Sequence, residues 1–190
     1  MLPGQRAAAL PPGHERVRAV LLNVNTDYGS PAQVAAFLAS TAPDLLILEE
    51  INADWLRDLA EPLAAYPCQR VVPSSDNFGI GLFSKWPCDS TRVAFYDEGV
   101  VPTVIAELTY QGRPLTFIGT HPVPPSGAEL SAVRNQHLRL LAAELAAMPG
   151  PVLLLGDLNT TPFSPHFRDF ARASGLIHGG RGRGWLPTWP

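Results

Sequence analysis

Four apolar runs in this chain end in polar side chains of types that can do chemistry together. "AVLLNVN" ends in Asn23 and Asn25, and "LLILEE" ends in Glu49 and Glu50. "LTFIGTH" ends in His121, and "VLLLGDLN" ends in Asp157 and Asn159. Carboxylates among neutral amides and a histidine, with no thiol nearby, suit a hard cation held by oxygen, Mg²⁺ or Mn²⁺. Mg²⁺ takes one or two carboxylates, keeps several waters and leaves the rest to substrate phosphate. Asn and His can donate to phosphate oxygens as charge develops. A second carboxylate can orient or deprotonate an attacking water.

Taken singly, most of these residues have plainer readings. An asparagine at a strand end is usually a turn residue, Glu49-Glu50 could be a solvated terminus, and His121 before Pro122 a loop histidine. Asp157-x-Asn159 after an apolar run is harder to read that way. His14, His137, His166 and His178 lack such a context and read as surface or structural. Gly79-Ile80-Gly81 is no nucleotide loop, because a strand follows it. The formal glycosylation sequon at Asn159-Thr160-Thr161 is read as coincidence.

The elements that would carry these residues follow from periodicity. Residues 16–25 and 43–50 read as strands. Between them lies a helix capped by Ser30 with Pro31 at its first position, facing Val34, Phe37 and Leu38 inward. Residues 52–66 read as a helix capped by Asn52 that Pro62 kinks or ends early. A β-rich stretch of five strands runs to Pro122. A helix over 126–148 with a Ser126 cap, a strand at "PVLLL" and a helix over 164–174 with a Ser164 cap complete the order. This order fits one α/β domain with a pair of sheets and helices outside. Side chains alternate along a strand, so Asn23 with Asn25, and Asp157 with Asn159, are expected to point together. If the strands are neighbours, the polar ends share one rim, where open α/β sheets bind ligands.

The chain has 190 residues, 46 % of them apolar, and a formal net charge of −3. No run of 18 apolar residues is present, so no membrane-spanning helix is expected. Residues 1–14 read as a disordered leader whose apolar patch is too short for a secretory signal; a cytoplasmic location is the expectation. Cys68 and Cys88 form no metal or redox spacing and read as two buried thiols.

The segments "LLNVN", "PDLLILEE", "NFGIGLFSKWP", "TFIGTHPVPP" and "GDLNTTPFSP", in this order, closely resemble the endonuclease/exonuclease/phosphatase superfamily. That group includes deoxyribonuclease I, abasic-site endonucleases, sphingomyelinases and inositol polyphosphate phosphatases. The spacing is most similar to its bacterial branch of short hydrolases. The resemblance implies a four-layer α/β sandwich over residues 15–190, two packed mixed sheets with outer helices. By motif it makes Glu50 the main metal carboxylate, with Asn23 and Asp157 also near the ion, Mg²⁺ or Mn²⁺. It places Asn23 and His121 on the phosphate side, gives Asp157 the attacking water and gives Asn159 the transition state. Glu49 sits where glutamine is common, and Asn25 where some members have aspartate.

The resemblance also implies a final aspartate-bearing strand and a Ser-Asp-His-x-Pro segment, whereas the sequence given ends in "GWLPTWP". The expectation is therefore that the C-terminal strands are missing, that the chain is nearly inactive, and that it self-associates through the uncovered sheet. The function expected is metal-dependent hydrolysis of a phosphodiester or phosphomonoester. One alternative is a catalytically impaired module of the same fold that binds phosphate and metal. Another is an unrelated α/β domain whose strand-end polar residues are turn caps. A nucleic acid is among the candidate substrates, although the negative charge and short loops argue against tight duplex binding.

Overall fold

The computed structural model describes residues 16–96 and 101–180. The leader expected over residues 1–14 and the last ten residues lie outside them. Eight strands form two four-stranded sheets. The first holds β1 (Ala19–Asn23), β2 (Leu45–Glu49), β4 (Ile80–Ser84) and β3 (Cys68–Val72), in the order β1-β2-β4-β3. The second holds β5 (Cys88–Phe95), β6 (Pro102–Tyr110), β7 (Arg113–Thr120) and β8 (Val152–Leu155), in that order. Both sheets are mixed: β1 runs parallel to β2, β7 runs parallel to β8, and the other pairs are antiparallel.

Three apolar layers separate four layers of structure. Leu45, Ile47, Leu82, Val104 and Phe117 fill the space between the sheets. The outer face of the first sheet packs on α1 (Pro31–Thr41), α2 (Ala53–Asp58) and α3 (Ala60–Leu63) through Leu38, Leu46, Trp55 and Leu59. The outer face of the second packs on α4 (Gly127–Ala147) and α5 (Pro165–Ser174) through Ile105, Ile118, Leu141 and Phe170. Strand β2 is buried along its whole length, which explains its unbroken apolar run.

Local chemistry sets the element ends. The Ser30 hydroxyl accepts from the Gln33 N–H, with Pro31 opening α1. Phe37, expected inward, is 40 % exposed, because Val34 and Leu38 alone occupy the buried stripe. The helix expected over 52–66 is two helices. In a continuous helix Pro62 would lack the N–H for the Asp58 carbonyl and crowd it, so the chain breaks at Leu59. Neither Ser126 nor Ser164 makes the side-chain cap bond expected of it. The β6–β7 hairpin turns on Gln111 and Gly112, with φ of 51° and 73°, the two-residue turn whose twist matches its strands.

Cys68 and Cys88 are joined in a disulfide, with Cα atoms 5.3 Å apart, instead of being free thiols. Each opens a strand of a different sheet, and both lie at the end of the sandwich opposite the ends of β1, β2, β7 and β8. The pairing arises from how the sheets stack, which no local spacing announces. Such bonds are rare in the cytosol, so this one and a cytoplasmic location pull in opposite directions. Cross-linking a loop with a sequence separation of 20 stabilises by about 3 kcal/mol in the chain-entropy account. Replacing both cysteines with serine should therefore lower the melting temperature by about 6–12 °C. An unchanged melting curve would mean that the cross-link adds nothing. Among the described residues no helix is long and apolar enough to cross a membrane.

Candidate functional site

The C-terminal ends of β1, β2, β7 and β8 lie on one rim. Asn23 pairs with Glu49 in register, and β7 pairs in parallel with β8, which leads into Asp157. The side chains of Asn23 and Glu50 meet directly: the Asn23 amide Nδ2 donates to Glu50 Oε1 at 2.6 Å. Glu50 has φ of 60°, so the chain leaves the strand at this residue. The Thr26 hydroxyl donates to the Glu50 carbonyl at 2.6 Å, and the Trp55 indole N–H donates to the Thr26 carbonyl at 3.1 Å. The loop after β1 thereby straps Glu50 in place.

Across the gap, the Asp157 N–H donates to Glu49 Oε1 at 2.9 Å, linking residues 108 apart in sequence and one sheet to the other. Asp157 Oδ1 accepts the N–H of Asn159 at 2.9 Å, and the Asn159 amide donates to the Pro122 carbonyl at 2.8 Å. His121 follows Thr120 at the end of β7 and is buried. Thr120 in turn is held by Thr103 at 2.8 Å and by the fully buried His137 of α4 at 2.9 Å.

The route by which the polar pairs come together differs from strand alternation. β1 ends at Asn23; Asn25 has φ of 54°, is exposed, and contributes its backbone N–H to Asn23 Oδ1 at 2.9 Å. Asn23 and Asn25 therefore do not point together as expected. β8 ends at Leu155, and Asp157 and Asn159 are joined by a turn closed by the aspartate side chain. Asn159 also has positive φ, 49°.

Electrostatics tie the group together. Glu49 is fully buried, and burial pushes its pKa up to about 8, with further upward pressure from Asp157 and Glu50. Burial lowers the pKa of His121, against the opposing pull of the Asp157 and Glu50 carboxylates. Glu49 Oε2 and His121 Nδ1 are buried with no hydrogen-bond partner.

One contributor escaped the reading of the sequence. Arg134 of α4 is 7 % exposed and donates from its guanidinium to the Asn159 carbonyl, holding the turn from the helix side. Its signal was a charge on the apolar stripe of α4, in helical register with Leu138 and Leu141. Glu49 was read among the polar strand ends, but its link to Asp157 was not.

The donor set fits a hard cation. Its acidic groups are oxygen-only, Glu50 and Asp157, with the Asn23 amide beside Glu50 and no thiol. Among the described residues no three His, Cys, Asp or Glu side chains are grouped to hold an ion by themselves. One or two carboxylates completed by water and phosphate is the Mg²⁺ pattern.

Comparison with known proteins bears on the family and the fold. The model of the endonuclease/exonuclease/phosphatase family matches residues 20–190. No curated protein matches the chain. Among solved structures, D. rerio TDP2 complexed with a single-strand DNA product is similar at 18 % identity and a TM-score of 0.68, covering 86 % of this chain and 66 % of that one. A β-hairpin deletion mutant of beta toxin from Staphylococcus aureus is similar at 17 % identity and a TM-score of 0.67, covering 86 % and 74 %. SmcL is similar at 18 % identity and a TM-score of 0.72, covering 91 % and 74 %. At these identities the likeness to the solved structures is one of fold, and it is the family model that carries the assignment. With the match running from β1 through the rim residues, this chain belongs to the endonuclease/exonuclease/phosphatase family.

Proposed function

We propose that the chain is a divalent-metal-dependent phosphoesterase that hydrolyses a phosphodiester or phosphomonoester. The observation that carries this reading is the link from Asn23 through Glu50 and Glu49 to Asp157, which joins amide and carboxylate groups of both sheets at one rim. Glu50 would hold the ion, Mg²⁺ or Mn²⁺, with Asn23 and Asp157 beside it. When bound, the ion neutralises phosphate oxygens and acidifies water.

The residues of the chain supply the rest. Asp157 has one carboxylate oxygen engaged by the Asn159 N–H. Its other oxygen orients the attacking water and accepts its proton. Asn159 is pinned on Pro122 and Arg134, so its amide is pre-organised to meet a phosphoryl oxygen as charge builds. His121, whose pKa burial lowers, offers an imidazole N–H to another oxygen.

TDP2, seen with a single-strand DNA product, makes a short single strand a reasonable substrate class to assay. The net charge of −3 gives no basic footprint for tight duplex binding.

Calorimetric titration with Mg²⁺ tests the ion. Glu50→Gln keeps the oxygen that accepts from Asn23 but removes the charge, and should weaken binding by at least about tenfold. An unchanged affinity would move the ligand role away from Glu50. A chromogenic diester assayed with and without Mn²⁺ tests the chemistry. Metal binding without turnover would favour the phosphate- and metal-binding module over the enzyme.

A further inference from the structure

Glu49 is an expensive residue in its place. It ends a strand otherwise made of leucine and isoleucine, is fully buried, and keeps Oε2 without a partner. A leucine there would fill the space without desolvating a carboxyl group. What the carboxyl does is accept the Asp157 N–H at 2.9 Å. Glu50, the next residue, carries the carboxylate hydrogen-bonded to Asn23.

The surrounding packing explains the reach. A Cβ on Gly119 would stand 2.6 Å from Ile47 Cδ1, so the second sheet approaches the first closely at this level. Glu49 lies two residues beyond Ile47 and shares its face. It is the first polar side chain above that close contact. From there it reaches the chain leaving β8. On its other side that chain is packed tightly on β7, where a Cβ on Gly156 would stand 1.9 Å from the Thr120 carbonyl.

We propose that Glu49 is a positioning residue, a strut between the sheets that sets where Asp157 stands relative to Glu50 and so holds the two halves of the site in register. This rests on the phosphoesterase reading of the same rim. Glu49 need not touch substrate. A glutamine amide has the shape of this carboxyl group and keeps an oxygen at the same reach, so the acceptor is the requirement and charge is not.

Three variants of the full chain separate this role from a merely structural one. Glu49→Gln keeps the acceptor, Glu49→Met fills the same length without one, and Glu49→Asp withdraws the carboxyl by one carbon–carbon bond. Loss of about 1 Å of registration costs on the order of 100-fold in rate. Glu49→Met and Glu49→Asp should therefore lower kcat about 100-fold with KM changed less than about threefold. Glu49→Gln should restore kcat to within about fivefold of wild type. Hydrogen exchange at the Asp157 amide, followed by NMR, reads the strut without any turnover. Exchange should quicken in the Glu49→Met and Glu49→Asp variants relative to the bulk of β2, and stay slow in Glu49→Gln. Should the methionine variant not fold, the aspartate and glutamine pair decides. Equal damage from Glu49→Gln and Glu49→Asp, or an Asp157 amide indifferent to both Glu49→Met and Glu49→Asp, would overturn the proposal. A wild-type chain without metal-dependent turnover would sink the phosphoesterase reading alone, since the amide measurement still decides the strut.

Discussion

Asp157→Asn should lower metal-dependent hydrolysis of an activated phosphodiester by about three orders of magnitude, with no loss of melting temperature. The two halves of that statement rest on different oxygens. Oδ1 accepts the Asn159 N–H at 2.9 Å and closes the turn. An asparagine at position 157 makes the same bond with its own carbonyl oxygen. What it lacks is the charge and basicity needed to take a proton from water, a contribution of about 10²–10⁴. Asp157→Ala loses the turn bond as well, and should cost about 1 kcal/mol more in stability. Initial rates and denaturant midpoints for the two variants resolve the roles. Turnover of Asp157→Asn within about tenfold of wild type would reduce Asp157 to a turn former.

Gly156→Ala should be severely damaging, although it adds only a single methyl group. The new Cβ would stand 1.9 Å from the Thr120 carbonyl oxygen and 3.3 Å from its Cγ2. A backbone oxygen cannot rotate aside as a side chain does, so β7 and the chain beyond β8 must separate. Overpacking of this kind costs about 1–3 kcal/mol, and more where backbone must move. About 3 kcal/mol or more is expected here. Both strands lead into the site, Thr120 into His121 and Gly156 into Asp157, so Mg²⁺ affinity should fall with stability. Gly112→Ala provides the contrast. That glycine has positive φ but nothing within 4 Å of a new Cβ, so its cost should be about 1 kcal/mol. A denaturant midpoint for Gly156→Ala no lower than that of Gly112→Ala would refute the steric account.

The layers were legible in the sequence because the buried strands are apolar on both faces and Pro62, Pro31 and the Gln111-Gly112 turn punctuate them. The rim was legible because four apolar runs end in polar residues. Other features were decided by partners far away in sequence. Glu49 is defined by an N–H from residue 157, Arg134 by a carbonyl at residue 159, and the Cys68–Cys88 bond by how two sheets stack. Strand alternation was the wrong reason for the right neighbourhood of Asp157 and Asn159. A side-chain turn joins that pair, while Asn25 faces solvent because its backbone turns left-handed immediately after β1.

Those left-handed residues carry a consequence for selection. Asn25, Glu50 and Asn159 are three of the five non-glycine residues with positive φ among the described ones. Such a conformation costs about 1–2 kcal/mol for a residue bearing a Cβ, least for asparagine, and nothing comparable for glycine. A screen that rewards heat resistance alone should therefore enrich glycine at these positions, at Glu50 above all. That change relieves the backbone while deleting the carboxylate that meets Asn23. Survivors of such a screen would be sturdier and chemically inert. A screen that retains function must keep Glu50 and find its stability elsewhere in the sandwich.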